Sequence, residues 1–255
     1  MSVLCKDISE KSKRIPAPDI LRGGAMILVM LYHLLYDLRF FYGVSLPYWL
    51  TPHKPPVEFV HICFLWVLFA VSGMCSGFSR DTVRRGAFLY IVGWLITAVT
   101  SVFMPSQLIV FGVLSCFGAC MVITGLLRPL IDRIPPKVLF ICSVLLWAAF
   151  RDFHTDSVIH LLITDIHITP PQMSDYLYPI GIRSEGFRSM DWFPVIPFIF
   201  IFLSGYALYR PVKDGKFPRW FYEISMPPLE FIGRHSLIFY ALHQPLFLAV
   251  LEIVL

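Results

Sequence analysis

The chain has 255 residues, of which 57% are hydrophobic and 15% charged, with a mean hydropathy of +0.70. A soluble domain carries roughly 25% charged residues to wet its surface, so a soluble globule is excluded and a lipid-facing one is expected. The net charge of +4 gives no reason to expect a nucleic-acid partner.

The first eighteen residues, ending at Pro18, are polar and basic. They precede an apolar run with no small-residue cleavage site, which reads as an uncleaved first helix. Apolar runs then follow at 20–42, 57–79, 86–104, 107–127, 137–151, 192–210 and 230–255. Each approaches the 20 or so residues that cross a bilayer core. Prolines punctuate them: Pro47, Pro52, Pro55 and Pro56 fill the first loop, Pro105 splits the third run from the fourth, and Pro135–Pro136 ends the fourth. Proline lacks an N–H and clashes with the preceding turn, so it stops helices. The expected fold is an all-α, polytopic membrane bundle of about seven spans. It forms one transmembrane domain, 19–255, behind a tail of 1–18.

Charge sets the expected orientation. With the N-terminus cytoplasmic, the inner side collects Lys6, Lys11, Lys13, Arg14, Arg22, Arg80, Arg84, Arg85, Arg128, Arg133, Lys137, Arg210, Lys213, Lys216, Arg219 and Arg234. The outer side keeps only Arg39, Lys54, Arg151, Arg183 and Arg188. Cytoplasmic loops are enriched in Lys and Arg, so seven spans place the C-terminus outside. The stretch 157–168 is too short to cross. It reads as an interfacial or re-entrant part of an outer loop, 152–191.

The first run carries Asp19, Arg22, Gly23, Tyr32, His33, Tyr36 and Asp37. Arg22 and His33 are eleven residues apart, almost three whole turns, so they share a face about 16 Å apart along the axis. With Arg22 at the inner boundary, His33 lies near the middle of a core about 30 Å thick. Asp37 follows on that face at i+4, where a carboxylate can orient an imidazole and steady its cationic form. Histidine is the usual general base near neutral pH, so His33 and Asp37 are the catalytic candidates. A histidine bonded to a neighbouring helix, with Asp37 at the water interface, is the alternative.

Two Ser-Gly pairs, Ser72-Gly73 and Ser204-Gly205, echo one another near the inner ends of the second and sixth runs. Small residues of this kind pack membrane helices closely; room for a ligand is the other reading. In the outer loop, Asp152, His154, Asp156, Asp165, His167, Asp175, Glu185 and Asp191 permit a metal without arguing for one, and none is expected. Asp191, just before the sixth run, suits a helix N-terminus or an acceptor-positioning role. The last run holds Arg234, Ser236, Tyr240, His243, Gln244 and Pro245. His243 lies near mid-depth beside an amide and a proline, as an acceptor-positioning residue or as a helix–helix bond. The six cysteines show no CxxC spacing and are expected as free, packed thiols.

Together these stretches resemble a known family. Asp19-x-x-Arg22-Gly23-x-Ala25-Met26 with Tyr32-His33-x-x-Tyr36-Asp37-Leu38, then Phe69-x-x-Ser72-Gly73, is the first part of the resemblance. Asp191-Trp192-Phe193-Pro194-x-x-Pro197 with Ser204-Gly205-Tyr206, and Gly233-Arg234-His235-Ser236-Leu237-x-x-Tyr240-x-x-His243-Gln244-Pro245, complete it. The whole resembles bacterial members of the heparan-alpha-glucosaminide N-acetyltransferase-like catalytic family, and the Arg22–His33 spacing resembles the wider acyltransferase-3 superfamily. Members often carry a histidine where Phe111-Gly112-Val113-Leu114 is followed here by Ser115. The resemblance implies transfer of an acyl group, typically acetyl, from cytoplasmic acetyl-CoA or another acyl-CoA to an extracytoplasmic sugar or glycan. Its essential histidine falls on His33. Arg22, Arg80, Arg84, Arg85 and Arg210 are then candidates for the phosphates of coenzyme A, and Tyr240, His243, Gln244 and Asp191 for positioning the acceptor. A multi-pass protein of a bacterial cytoplasmic membrane, in contact with lipid, is implied. A homodimer, a transporter and a non-catalytic assembly partner stay open.

Overall fold

The protein, in a computed structural model, is described over residues 14–161, 164–168, 176–184 and 186–254. Most of the tail, with Cys5, Lys6, Lys11 and Lys13, lies outside the described residues, as do Asp175 and Glu185. Ten α-helices, three short 3-10 turns and one small pair of strands appear among the described residues. They are α1 (Pro16–Phe40), α2 (Pro55–Phe78), α3 (Thr82–Phe103), α4 (Val113–Ile131), α5 (Pro136–Phe150) and α6 (Phe153–Asp156). After them come β1 (Val158–His160), β2 (Asp165–His167), α7 (Val195–Lys213), α8 (Arg219–Glu223), α9 (Pro227–Arg234) and α10 (Ser236–Val254). Seven helical segments are long and apolar enough to cross a membrane, the seven the hydropathy runs indicate. Large apolar side chains such as Phe88, Ile91, Leu95 and Val99 stand exposed along α3. They suit lipid, where a helix needs no polar surface because its backbone bonds are satisfied internally.

Three boundaries differ from the hydropathy runs. The last run breaks at His235, whose backbone leaves helical geometry (φ −106°, ψ 20°) and separates α9 from α10. The fourth begins only at Val113, after Phe111 at φ 55°. The stretch 157–168 is an antiparallel hairpin with Val158 opposite His167 and His160 opposite Asp165. Its edge is closed by Leu161 N–H donating to Thr164 O and Ile168 N–H to Ser157 O.

Contacts divide the chain into two compact units, one running up to Leu68 and resuming at Phe217, the other Phe69–Lys216. In the first, α1 packs on α9 and α10. The α1–α9 crossing is glycine to backbone in both directions: a Cβ on Gly23 would stand 2.0 Å from Leu229 O, and one on Gly233 1.9 Å from Asp19 O. Ion pairs seal its end. Asp19, 2% exposed, meets Arg14 at 2.6 Å and Arg234 at 3.5 Å, and Arg234 reaches Glu230 at 2.5 Å. Charges this poorly solvated persist only when paired.

In the second unit α3 packs on α4 and α5 on α7. The Ser-Gly echo resolves into packing: a Cβ on Gly73 would lie 1.9 Å from Phe202 O, and one on Gly205 1.8 Å from Ala70 O. Ser204 Oγ donates to Ile201 O in its own helix at 2.7 Å, so the pair serves close approach, as small residues do between membrane helices. The position where family members often have histidine follows the same logic. Ser115 is 2% exposed, and a Cβ on Gly93 of α3 would stand 2.2 Å from its Oγ. A side chain larger than serine would push these helices apart. The five described cysteines are free thiols.

Candidate active site

Three helices of the first unit bring polar side chains to the neighbourhood of His33. α1 presents Tyr32, His33, Tyr36 and Asp37, the first half of α2 presents Glu58 and His61, and α10 presents Tyr240, His243 and Gln244. The rings of His33 and His243 lie 5.0 Å apart between centroids, tilted by 58°. Two residues from opposite ends of the sequence therefore meet where each helix is otherwise apolar. An ionisable pair in that setting is a functional-site candidate, since intramembrane polar groups are costly.

Asp37, the expected partner of His33, bonds a different residue. Asp37 is fully buried and takes its hydrogen bonds from Gln244, whose Nε2 donates at 2.9 Å to Oδ1 and 3.0 Å to Oδ2. Being at i+4 puts Asp37 on the His33 face, yet the amide of α10 holds the carboxylate. His33 itself has ring contacts, with Tyr32 at 6.0 Å and His243, and no hydrogen bond among the described residues.

His243 is better fixed. Its Nδ1 lies 2.7 Å from Tyr240 O; a carbonyl only accepts, so Nδ1 carries the proton. The other nitrogen, Nε2, is buried with no partner among the described residues, and so is Gln244 Oε1. Tyr240 lies 5.7 Å from the His243 ring.

Sequence reasoning missed a third histidine. His61 stacks on Tyr32 at 4.1 Å and 19°, and its Nδ1 lies 3.4 Å from Glu58 Oε1. Glu58 also faces His53 at 3.8 Å. The signal was present, because Glu58 and His61 stand at i,i+3 just after Pro55–Pro56, one turn apart on one helix face.

The basic residues expected on the inner side stand in different settings. Arg22 is committed to the α1–α9 crossing, donating to Gly233 O at 3.5 Å and standing 3.7 Å from Asp19. In the second unit, Arg210 donates to the backbone carbonyl of Asp132 and lies 3.4 Å from its carboxylate. Tyr206 and Tyr209 donate to that same carboxylate at 2.9 and 3.1 Å. Arg84 and Arg85 are exposed on the first turn of α3. Arg80 instead lines a cavity of about 360 Å³ with Arg128, Lys213, Gly77, Ser79 and Tyr209. Arg128 is held there by Gly77 O and Ser79 O, each at 2.9 Å. Its cation thus sits where the last carbonyls of α2 favour one. Three cations and no carboxylate line this cavity among the described residues, which suits an anion, although Arg128 also stands 3.4 Å from Asp132; the charge count includes all three cations, and only Arg80 of them is among the phosphate candidates that the resemblance supplies.

Asp191 lies in the second unit and serves a helix other than the expected one. α7 starts at Val195, whereas Asp191 Oδ2 accepts from Val113 N–H at 3.4 Å, at the start of α4. The dipole argument holds, applied to a helix that begins 78 residues earlier.

Between α5 and α7, His160 bridges two carboxylates, Nδ1 at 2.9 Å from Asp165 and Nε2 at 2.8 Å from Asp152. Those two bonds, Asp165 first, raise its pKa above the ordinary histidine value. The sign follows from linkage: the bridge is fully present below the unfolded pKa of about 6.5 and is lost as pH rises through the raised one. The amides of Leu161 and Ile168, which close the hairpin, are therefore expected to keep high hydrogen-exchange protection factors in mild acid and lose them in alkali. In His160→Asn the protection factors become independent of pH. Equal pH dependence in both proteins would refute the bridge.

The family model described as heparan-alpha-glucosaminide N-acetyltransferase, catalytic, matches residues 14–245. No curated protein and no solved structure matches the chain.

Proposed function

Because the chain belongs to the heparan-alpha-glucosaminide N-acetyltransferase catalytic family, a family of membrane acetyltransferases, we propose that it moves an acetyl or other acyl group from cytoplasmic acyl-CoA to a hydroxyl or amine of an extracytoplasmic sugar or glycan. The membrane we assign is a bacterial cytoplasmic membrane. The observation that carries this reading is the His33–His243 pair, 5.0 Å apart, contributed by spans at both ends of the family-matched stretch.

In this reading the thioester comes to His33. His33 either deprotonates the acceptor or takes the acyl group briefly itself, while Tyr240, His243 and Gln244 position the acceptor. The phosphates of the donor go to basic groups at the inner ends of the spans. The cavity with Arg80, Arg128 and Lys213 is the best-formed candidate, because guanidinium donors match phosphate oxygens in a flat fork. Arg22 and Arg210 do not line this cavity, so they rank behind it, and Arg84 and Arg85 supply field more than contact.

Donor binding tests the proposal. Purified full-length protein is expected to bind acetyl-CoA more tightly than its dephospho form, and added salt should weaken the binding. Arg80→Glu with Lys213→Glu should weaken it about tenfold or more, since charged hydrogen bonds are worth about 1.5–3 kcal/mol each. A transporter of another solute or an assembly partner has no need of coenzyme A. If neither acetyl-CoA nor coenzyme A binds at millimolar concentration, the donor and the proposal with it are lost.

A further inference from the structure

His243 is 5% exposed, so it meets lipid and water hardly at all. Its Nδ1–H is spent on the carbonyl of Tyr240 at 2.7 Å. That bond removes any choice of tautomer: the neutral ring must hold its lone pair on Nε2. Among the described residues this Nε2 is buried without a donor, and the neighbouring residue leaves a second acceptor, Gln244 Oε1, in the same condition. Buried acceptors are almost always satisfied in folded proteins, so two unsatisfied ones on consecutive residues point to something that brings hydrogen-bond donors. A hydroxyl or an amine does so. Gln244 cannot turn its amide to relieve the shortage, because its Nε2 is committed to both oxygens of Asp37.

His33 differs in each respect. It is partly exposed and has no hydrogen bond among the described residues to select a tautomer. A base must present a lone pair to its proton in one set direction. Of the two rings, 5.0 Å apart, only His243 is held that way by the protein.

Resting on the transfer reading above, we infer that His243 Nε2 is the base that takes the acceptor's proton, so that His33 is left to meet the acyl group. In that step the O–H or N–H bond of the acceptor breaks and its proton goes to Nε2, while the acceptor atom bonds to the acyl carbon. The electron pair that held the acyl group leaves with the departing atom. That atom is the sulfur of coenzyme A if transfer is direct, or a ring nitrogen of His33 if His33 carried the acyl group. The thiolate released in either route takes up one proton from the His243 imidazolium, which returns the ring to its starting form. Gln244 Oε1 receives a second donor of the acceptor and aligns it.

The test compares two nucleophiles in full-length protein reconstituted in lipid, with acetyl-CoA as donor. Glucosamine offers hydroxyls and a largely protonated amine, so it needs a base. Hydroxylamine is weakly basic and already neutral near pH 7, so it needs much less help. His243→Asn keeps a donor for Tyr240 O and removes the base, which guards against loss of fold; His243→Ala accompanies it. With glucosamine, both variants are expected to lose about 10²–10⁴-fold in rate. With hydroxylamine, the loss should stay within about tenfold, because little general-base assistance remains to be removed. Equal losses with both nucleophiles would show His243 to be structural, and no loss with either would remove it from the chemistry; both outcomes overturn this assignment alone. A wild-type protein that acetylates neither compound would overturn the transfer reading itself.

Discussion

His33→Ala is expected to lower acetyl transfer by at least about 10²-fold per folded molecule, whether His33 meets the acyl group or the acceptor's proton. Membrane insertion, yield and acetyl-CoA affinity should stay close to wild type. The contacts explain why the two readouts separate. His33 is partly exposed and touches its neighbours through ring contacts, with no hydrogen bond among the described residues to be stranded. Its truncation therefore removes chemistry and little packing. Loss of a group that acts in the transition state lowers kcat and kcat/KM together and leaves donor binding alone. Asp37→Ala is expected to behave in the opposite way. That carboxylate is fully buried and takes both its bonds from Gln244, so removing it strands an amide at a cost of about 1–3 kcal/mol. Yield and thermal stability should fall first, and activity should follow through the displaced amide. A folded His33→Ala protein that retains more than about a tenth of wild-type activity, well above the loss of a catalytic base, would strip His33 of its role.

The contrast between these two residues shows what a sequence can carry. Placing His33 and Asp37 on one face needs only the helical repeat, and the structure keeps them there. Which group Asp37 bonds is a different matter, because Gln244 lies 207 residues away and no local pattern joins them. The spans themselves were legible because lipid solvation acts on each helix by itself. The break at His235 was not, since hydropathy averages across the single residue where the backbone leaves helical geometry. Asp191 was given the right physics and the wrong helix. A carboxylate favours the nearest helix N-terminus in space, and after a loop that N-terminus belongs to α4. The Ser-Gly echo was readable as small-residue packing, and its reciprocal form, glycine on each helix against backbone of the other, adds why both copies are needed. His61 and Glu58 were within reach of the same helix-face reasoning that found Asp37.

The other large effect is expected from two adjacent glycines of α1 that differ only in what faces them. A Cβ on Gly23 would stand 2.0 Å from Leu229 O, 2.8 Å from Leu229 C and 3.1 Å from Gly233 N. All three atoms are backbone, so no rotamer change relieves the contact, and α1 must move away from α9. Moving it lengthens the bond from Arg22 to Gly233 O and loosens the pairing of Asp19 with Arg234. Overpacking alone costs about 1–3 kcal/mol where side chains can yield. Here the backbone cannot, so the cost lies at or above that range, a large share of the roughly 5–15 kcal/mol that holds many domains together. Gly23→Ala is therefore expected to yield little folded protein, and to lose acetyl transfer because α1 also carries His33. At Gly24 a Cβ meets nothing within 4 Å. The same methyl there relieves the flexibility of a glycine inside a helix, worth up to about 1 kcal/mol. Gly24→Ala should be as stable as wild type or slightly more so, with activity unchanged. Thermal denaturation of the two variants in the same lipid measures the difference. If both alanines are tolerated equally, the glycine-to-backbone crossing of α1 and α9 does not exist, and the position of α1 in the first unit has to be drawn again.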